Sequence, residues 1–111
     1  MMETDKAAQA GTIPADLNCT PSIAITGHSV DGAGNLTITG TMTPTDANCN
    51  PKLSGFIQNT QTGKMSNPNP APAVASPWSM VYPAPGAGNY LVEASVNCLG
   101  GMNMAQTGIT I

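Results

Sequence analysis

The sequence predicts an all-β protein, an antiparallel β-sandwich of six to seven short strands behind an irregular N-terminal arm. Apolar and polar residues alternate in several short segments, and turn-forming residues separate these segments roughly every 8–12 positions. Thr, Asn, Ser and Gln supply most of the polarity, with 12 Gly and 10 Pro, a mixture that suits strands and turns and fits helices poorly. The 111 residues fit one domain, which we place at residues 19–111, after an arm of residues 1–18.

The strands follow from the period-two alternation of apolar side chains. Ile23 and Ile25 mark the first strand, and a Gly-rich turn over residues 31–35 joins it to the second as a hairpin. In the later strands, the positions that share one face are Leu36, Ile38, Gly40 and Met42; Leu53, Gly55 and Ile57; Trp78, Met80 and Tyr82; Tyr90, Val92, Ala94 and Val96; and Ala105, Thr107, Ile109 and Ile111. Phe56 would point to the other face of its strand.

The segment between the third and fourth of these strands is different in kind. Residues 66–77 contain four prolines and no charged residue. Because proline cannot donate to a strand ladder, this stretch predicts an extended surface crossing rather than a central strand. Its first part is the predicted partner-binding site, which comprises Ser66, Asn67, Pro68, Asn69, Pro70, Ala71 and Pro72.

Charge is scarce, and this excludes some partners. Asp, Glu, Lys and Arg make up 8% of the chain, against roughly 25% in an average soluble protein. A net charge of −3, with three lysines and no arginine, predicts no nucleic-acid partner, because phosphate binding needs clustered cations. No apolar run approaches the ~20 residues that cross a bilayer. The acidic start, with no apolar segment after it, predicts no secretory signal.

The closing half of the chain carries a resemblance. Residues 78–82, the Gly86-to-Val96 segment and residues 107–111 resemble the end of bacterial and phage immunoglobulin-like domains, which often have a Gly-x-Tyr-x-Val-x-Ala strand before an alternating last strand. The resemblance implies an Ig-like sandwich, with Tyr90 at the tyrosine-corner position, its ring buried and its hydroxyl bonded to nearby backbone. Antibody-type domains have a cysteine where this chain has Val92, so their inter-sheet disulfide is absent.

Cys19, Cys49 and Cys98 are predicted to fall at one end of the sandwich. This placement allows a Cys49–Cys98 disulfide with Cys19 left over, or three reduced thiols packed as small apolar groups. A zinc site would need a fourth ligand, and His28 is expected at the opposite end. We therefore predict no metal site and no cofactor.

No catalytic constellation is visible in the sequence. His28 is the only histidine and lacks a nucleophile and a carboxylate at useful positions. Asp31, Asp46 and Glu93 are scattered singly, so no carboxylate pair is available for acid–base work. The chain is therefore predicted not to be an enzyme.

The leading functional hypothesis is a structural protein of a virus particle, such as a capsid decoration or cement protein at the virion surface. It would bind a larger protein assembly, such as one of major capsid protein, through the arm and the proline-rich crossing. It could itself form a closed oligomer such as a trimer. Phage Ig-like domains have this role, by resemblance. The alternative is an extracellular adhesin, filament subunit or carbohydrate-binding module, which an exposed strip of Trp78, Tyr82 and Tyr90 would favour.

Overall fold

Seven strands form two antiparallel sheets in the computed structural model, which describes residues 17–111. In chain order the strands are β1 (Ser22–Val30), β2 (Leu36–Thr43), β3 (Lys52–Asn59), β4 (Met65–Ser66), β5 (Trp78–Tyr82), β6 (Asn89–Cys98) and β7 (Gly101–Thr110). One sheet has the order β1-β2-β5 and the other has the order β4-β3-β6-β7. The predicted antiparallel β-sandwich is therefore confirmed. The predicted arm, apart from Leu17 and Asn18, lies outside the described residues.

The core lies between the two sheets, because successive side chains of a strand point to opposite faces. Leu36 and Ile38 of β2 and Val92 and Val96 of β6 are almost fully buried, as their spacing predicts. The rest of the core consists of Met42, Leu53, Ile57, Trp78, Met80, Tyr82, Tyr90, Ala94 and Ile109. Full burial of each large apolar side chain stabilises the fold by about 1.5–3 kcal/mol before chain entropy is counted.

The middle strand of the three-stranded sheet requires a glycine at position 40. A Cβ atom added to Gly40 would lie 2.0 Å from the carbonyl oxygen of Ala24 and 2.3 Å from Cζ2 of Trp78. The indole of Trp78 therefore lies against the bare backbone of β2, and its Nε1 donates to the carbonyl oxygen of Thr41 at 3.0 Å. This contact fixes the position of the only tryptophan in the chain.

The turn between β1 and β2 is held by the carboxylate of Asp31. This group accepts the backbone N–H groups of Ala33 and Asn35, each at 2.9 Å. Hydrogen bonds to the charged form, above all the one from the backbone of Asn35, lower the pKa of Asp31 from its ordinary value. The turn sets the register of the hairpin, in which Val30 faces Leu36.

Tyr90, near the start of β6, has the contacts expected of a tyrosine corner. Its ring is 4% exposed. Its hydroxyl lies 2.7 Å from the carbonyl oxygen of Pro85 and 2.9 Å from that of Gly86, and donates toward both. Both acceptors lie in the connection of residues 83–88, which takes the chain from one sheet to the other. The predicted burial and bonding of Tyr90 are confirmed.

Candidate partner-binding segment

The seven predicted partner-binding residues divide between a strand and an irregular segment. Ser66 lies in β4, opposite Ile57 of β3, and is partly buried. The predicted crossing therefore begins as part of a short edge strand of the four-stranded sheet. From residue 67 to β5 the chain is irregular, and we call residues 67–77 the proline segment. Its exposed residues include Asn67, Asn69, Pro70 and Ala71, whereas Pro68 and Pro72 are partly buried.

Two hydrogen bonds fix the proline segment to the three-stranded sheet. Near its start, the backbone N–H of Asn69 donates to the carbonyl oxygen of Val81 at 2.8 Å. Near its end, Oγ of Ser76 accepts the backbone N–H of Met42 at 3.1 Å. The segment thus runs along β5, which is an edge strand of that sheet. It shields part of an edge whose unpaired backbone groups would otherwise be open to strand addition.

A groove of about 290 Å³ lies between the proline segment and β5. Pro70, Pro72 and Pro77 line it from the segment, and Ser79 and Val81 line it from the strand. None of the residues that line the groove carries a charge. The groove can therefore offer a partner shape, apolar contact and backbone hydrogen bonds, but no electrostatic steering.

The aromatic residues that could have stacked on a sugar are packed inside the sandwich. Trp78 is 2% exposed, and Tyr82 and Tyr90 are also buried. Burial disfavours the phenolate form and raises the pKa of Tyr82 to about 12. The hydroxyl of Tyr82 lies 3.6 Å from Sδ of Met80, a weak acceptor. These three rings form no exposed aromatic strip.

The three cysteines meet at one end of the sandwich, as predicted, but the disulfide joins a different pair. Cys19 is bonded to Cys49, with 5.4 Å between their Cα atoms, and Cys98 is free. The predicted Cys49–Cys98 disulfide is therefore wrong. The chain before β1 presents the sulfur of Cys19 to Cys49, whereas Sγ of Cys98 lies 3.0 Å from the carbonyl oxygen of Cys19 and donates to it.

The histidine and acidic residues of the described chain form no cluster with metal-ligating potential. Residues 17–111 contain no group of three or more His, Cys, Asp or Glu side chains that could hold a metal ion. His28 is exposed at the opposite end from the cysteines, beside a cavity of about 520 Å³ lined in part by Val30 and Ile111. Glu93 lies on the outer face of β6, where it accepts a hydrogen bond from Gln106 of β7 at 2.6 Å.

Three exposed methionines were missed by the sequence reasoning. Met65 of β4 and Met102 and Met104 of β7 are 55%, 59% and 45% exposed, on the outer face of the four-stranded sheet. The sequence placed Ala105, Thr107, Ile109 and Ile111 on one face of the last strand, and β7 begins at Gly101. The alternation of Met102, Asn103 and Met104 was a signal that could have placed both methionines on the opposite face.

Comparison with protein-family models, with curated proteins and with solved structures finds no match to this chain. Within the part of the chain that the structure describes, no helix has the length and apolar character needed to cross a membrane. The fold and the geometry of the proline segment are therefore the observations from which a function is inferred.

Proposed function

We propose that this protein is a non-enzymatic structural protein of a virus particle, a capsid decoration or cement protein or another accessory protein of the virion surface. In this role it binds a larger protein assembly, such as one built from a major capsid protein. The observation that carries the proposal is the proline segment, an exposed and uncharged stretch that is hydrogen-bonded to the sandwich near both ends.

The physical argument is one of pre-organisation. Binding costs about 0.5–1.5 kcal/mol for each flexible side chain that becomes ordered at an interface. Proline and alanine have almost no side-chain freedom to lose, and the bonds of Asn69 and Ser76 already restrain the backbone. The buried core of a protein interface is also depleted of charged residues. The proline segment, which is stiff and uncharged and lies beside the groove, therefore suits docking onto another protein surface.

One further observation agrees with a virion protein, and a second argues against one of the alternatives. The contacts of Tyr90 agree with the Ig-like resemblance, and Ig-like domains of phages serve as accessory domains of the particle, which is support by analogy. A carbohydrate-binding module would need an accessible recognition surface for sugars. The burial of Trp78, Tyr82 and Tyr90 removes the aromatic surface that would favour such a module.

A co-sedimentation assay tests this function. The probe is a preparation of particles from a culture infected with the virus whose genome encodes the chain, freed of the native protein by mild urea washes. The wild-type protein should sediment with these particles. Ala71→Asp, which introduces a charge into the groove, should weaken binding at least tenfold, equivalent to about 1.4 kcal/mol. Ala87→Asp, at an exposed alanine of the β5–β6 connection, is the matched control and should bind like wild type.

The outcomes of this assay distinguish a wrong docking site from a wrong function. Both variants should keep the urea midpoint of the wild type, because both side chains are exposed. Undiminished binding of Ala71→Asp would remove the proline segment from the interface. A protein that does not sediment with particles, yet is retained tightly on a glycan array, would replace the proposal with the extracellular carbohydrate-binding alternative.

A further inference from the structure

The cysteine end of the sandwich has a feature that the proposed docking role does not use, namely a free thiol in contact with a disulfide. Sγ of Cys98 donates to the carbonyl oxygen of Cys19 at 3.0 Å. The next backbone N–H, that of Leu99, donates to the carbonyl oxygen of Cys49 at 2.9 Å. The end of β6 therefore contacts the backbone of both bonded cysteines.

These contacts place Cys98 close to Cys49 as well as to Cys19. Through standard bond lengths, the hydrogen bond from Leu99 to Cys49 places the Cα atoms of Cys98 and Cys49 within about 7 Å of each other, close to the range that disulfides bridge. The turn after Cys98 is tightly packed here, since a Cβ atom at Gly100 would lie 2.1 Å from the carbonyl oxygen of Cys19. All three cysteines are thus held against one another by the fold.

We propose that Cys98 is an exchange thiol that converts the Cys19–Cys49 disulfide into a Cys49–Cys98 disulfide. The Cys98 thiolate attacks Sγ of Cys49, and the bond between Cys49 and Cys19 breaks. Cys19 leaves as a thiolate and takes up a proton from solvent, replacing the one that Cys98 lost. One disulfide and one thiol are present before and after the step, so no oxidant or reductant is consumed.

The exchange changes which parts of the chain the disulfide links. Cys19 precedes β1 of the three-stranded sheet, whereas Cys98 ends β6 of the four-stranded sheet. The step therefore releases the chain before β1 from its covalent link to the 3-10 turn that contains Cys49. After release, polar contacts such as the one from Nδ2 of Asn103 to the carbonyl oxygen of Pro21, at 3.3 Å, remain to hold this part of the chain.

Non-reducing peptide mapping tests the exchange. The purified full chain is held at about pH 8, then acid-quenched, blocked with a maleimide near neutral pH and digested without reductant. Both linked pairs should be found, with Cys49–Cys98 in at least about one-tenth of the molecules, an equilibrium within about 1.4 kcal/mol. The maleimide should label Cys19 in the same fraction and Cys98 in the rest.

The control is Cys98→Ser, a conservative change at a partly exposed position. This variant should show the Cys19–Cys49 pair alone, with no labelled cysteine, and its far-UV spectrum should match that of the wild type. A wild-type protein labelled at Cys98 alone, with Cys49–Cys98 below the one-tenth level, would overturn the proposal. Because the readout is a covalent map of the isolated chain, it is independent of any binding to particles.

Discussion

The hydroxyl of Tyr90 fastens the connection between β5 and β6, and its removal should weaken the sandwich by a measurable amount. In the Tyr90→Phe variant, the carbonyl oxygens of Pro85 and Gly86, at 2.7 and 2.9 Å, lose their donor. One O–H proton serves both acceptors, and water can reach the exposed Gly86 once the hydroxyl is gone. We therefore expect a loss of about 1 kcal/mol in the free energy of unfolding, the typical net value of one neutral hydrogen bond.

Urea unfolding, followed by the fluorescence of the single tryptophan, measures this loss. For a small domain with an m-value of about 1–1.5 kcal/mol/M, the midpoint should fall by about 0.7–1 M. Tyr82→Phe is the matched control, because Tyr82 is equally buried but its hydroxyl lies beside only a weak sulfur acceptor. That variant should lose less than about 0.5 kcal/mol. Equal losses in the two variants would show that the hydrogen bonds of Tyr90 are not the source of its stabilisation.

Three other changes have distinct expected outcomes. Gly40→Ala should lower the free energy of unfolding by at least about 2–3 kcal/mol through overpacking. Gly32→Ala, whose Cβ meets no atom within 4 Å, should change the urea midpoint little. Equal urea midpoints for the two variants would contradict the close packing at Gly40. Reduction of the Cys19–Cys49 disulfide, whose partners are 30 residues apart, should remove about 3–4 kcal/mol in the chain-entropy model, seen as a lower melting temperature in reductant. The pKa of Tyr82 is raised from 10.0 to about 12, so its neutral form contributes stability that is complete below pH 10 and is lost as the pH rises toward 12. In urea titrations, Tyr82→Phe should therefore lose less stability than the wild type between pH 10 and pH 12. An identical loss in the two proteins would contradict the raised pKa.

Period-two alternation was sufficient to predict the sandwich, because a strand with one buried face leaves a direct record in the sequence. Leu36, Ile38, Val92 and Val96 are buried as the pattern requires. The role of Tyr90 was predicted from the resemblance to immunoglobulin-like domains, and its hydroxyl donates to carbonyl oxygens only four or five residues away in the chain. Local and periodic features of this kind need no knowledge of the tertiary arrangement.

Features that depend on distant contacts were harder to predict. The predicted cysteine pairing was wrong because three sulfurs converge on one end of the sandwich. Which two of them bond depends on how the chain before β1 approaches Cys49. The proline segment was recognised as a surface crossing, but its bonds to Val81 and Met42 join residues far apart in the sequence. The edge strand that includes Ser66 was not predicted, because a two-residue strand leaves no periodic signal.

Cryo-electron microscopy of the purified particles shows whether the protein lies on the virion surface. We expect density for this two-sheet sandwich on the outer surface of the particle, with the proline segment of residues 67–77 against the underlying capsid protein. Particles whose outer surface carries no such density, although the infected culture makes the protein, would contradict the proposed function. Density that contacts the capsid through another face of the sandwich would keep the virion role and reject the proline segment as its docking site.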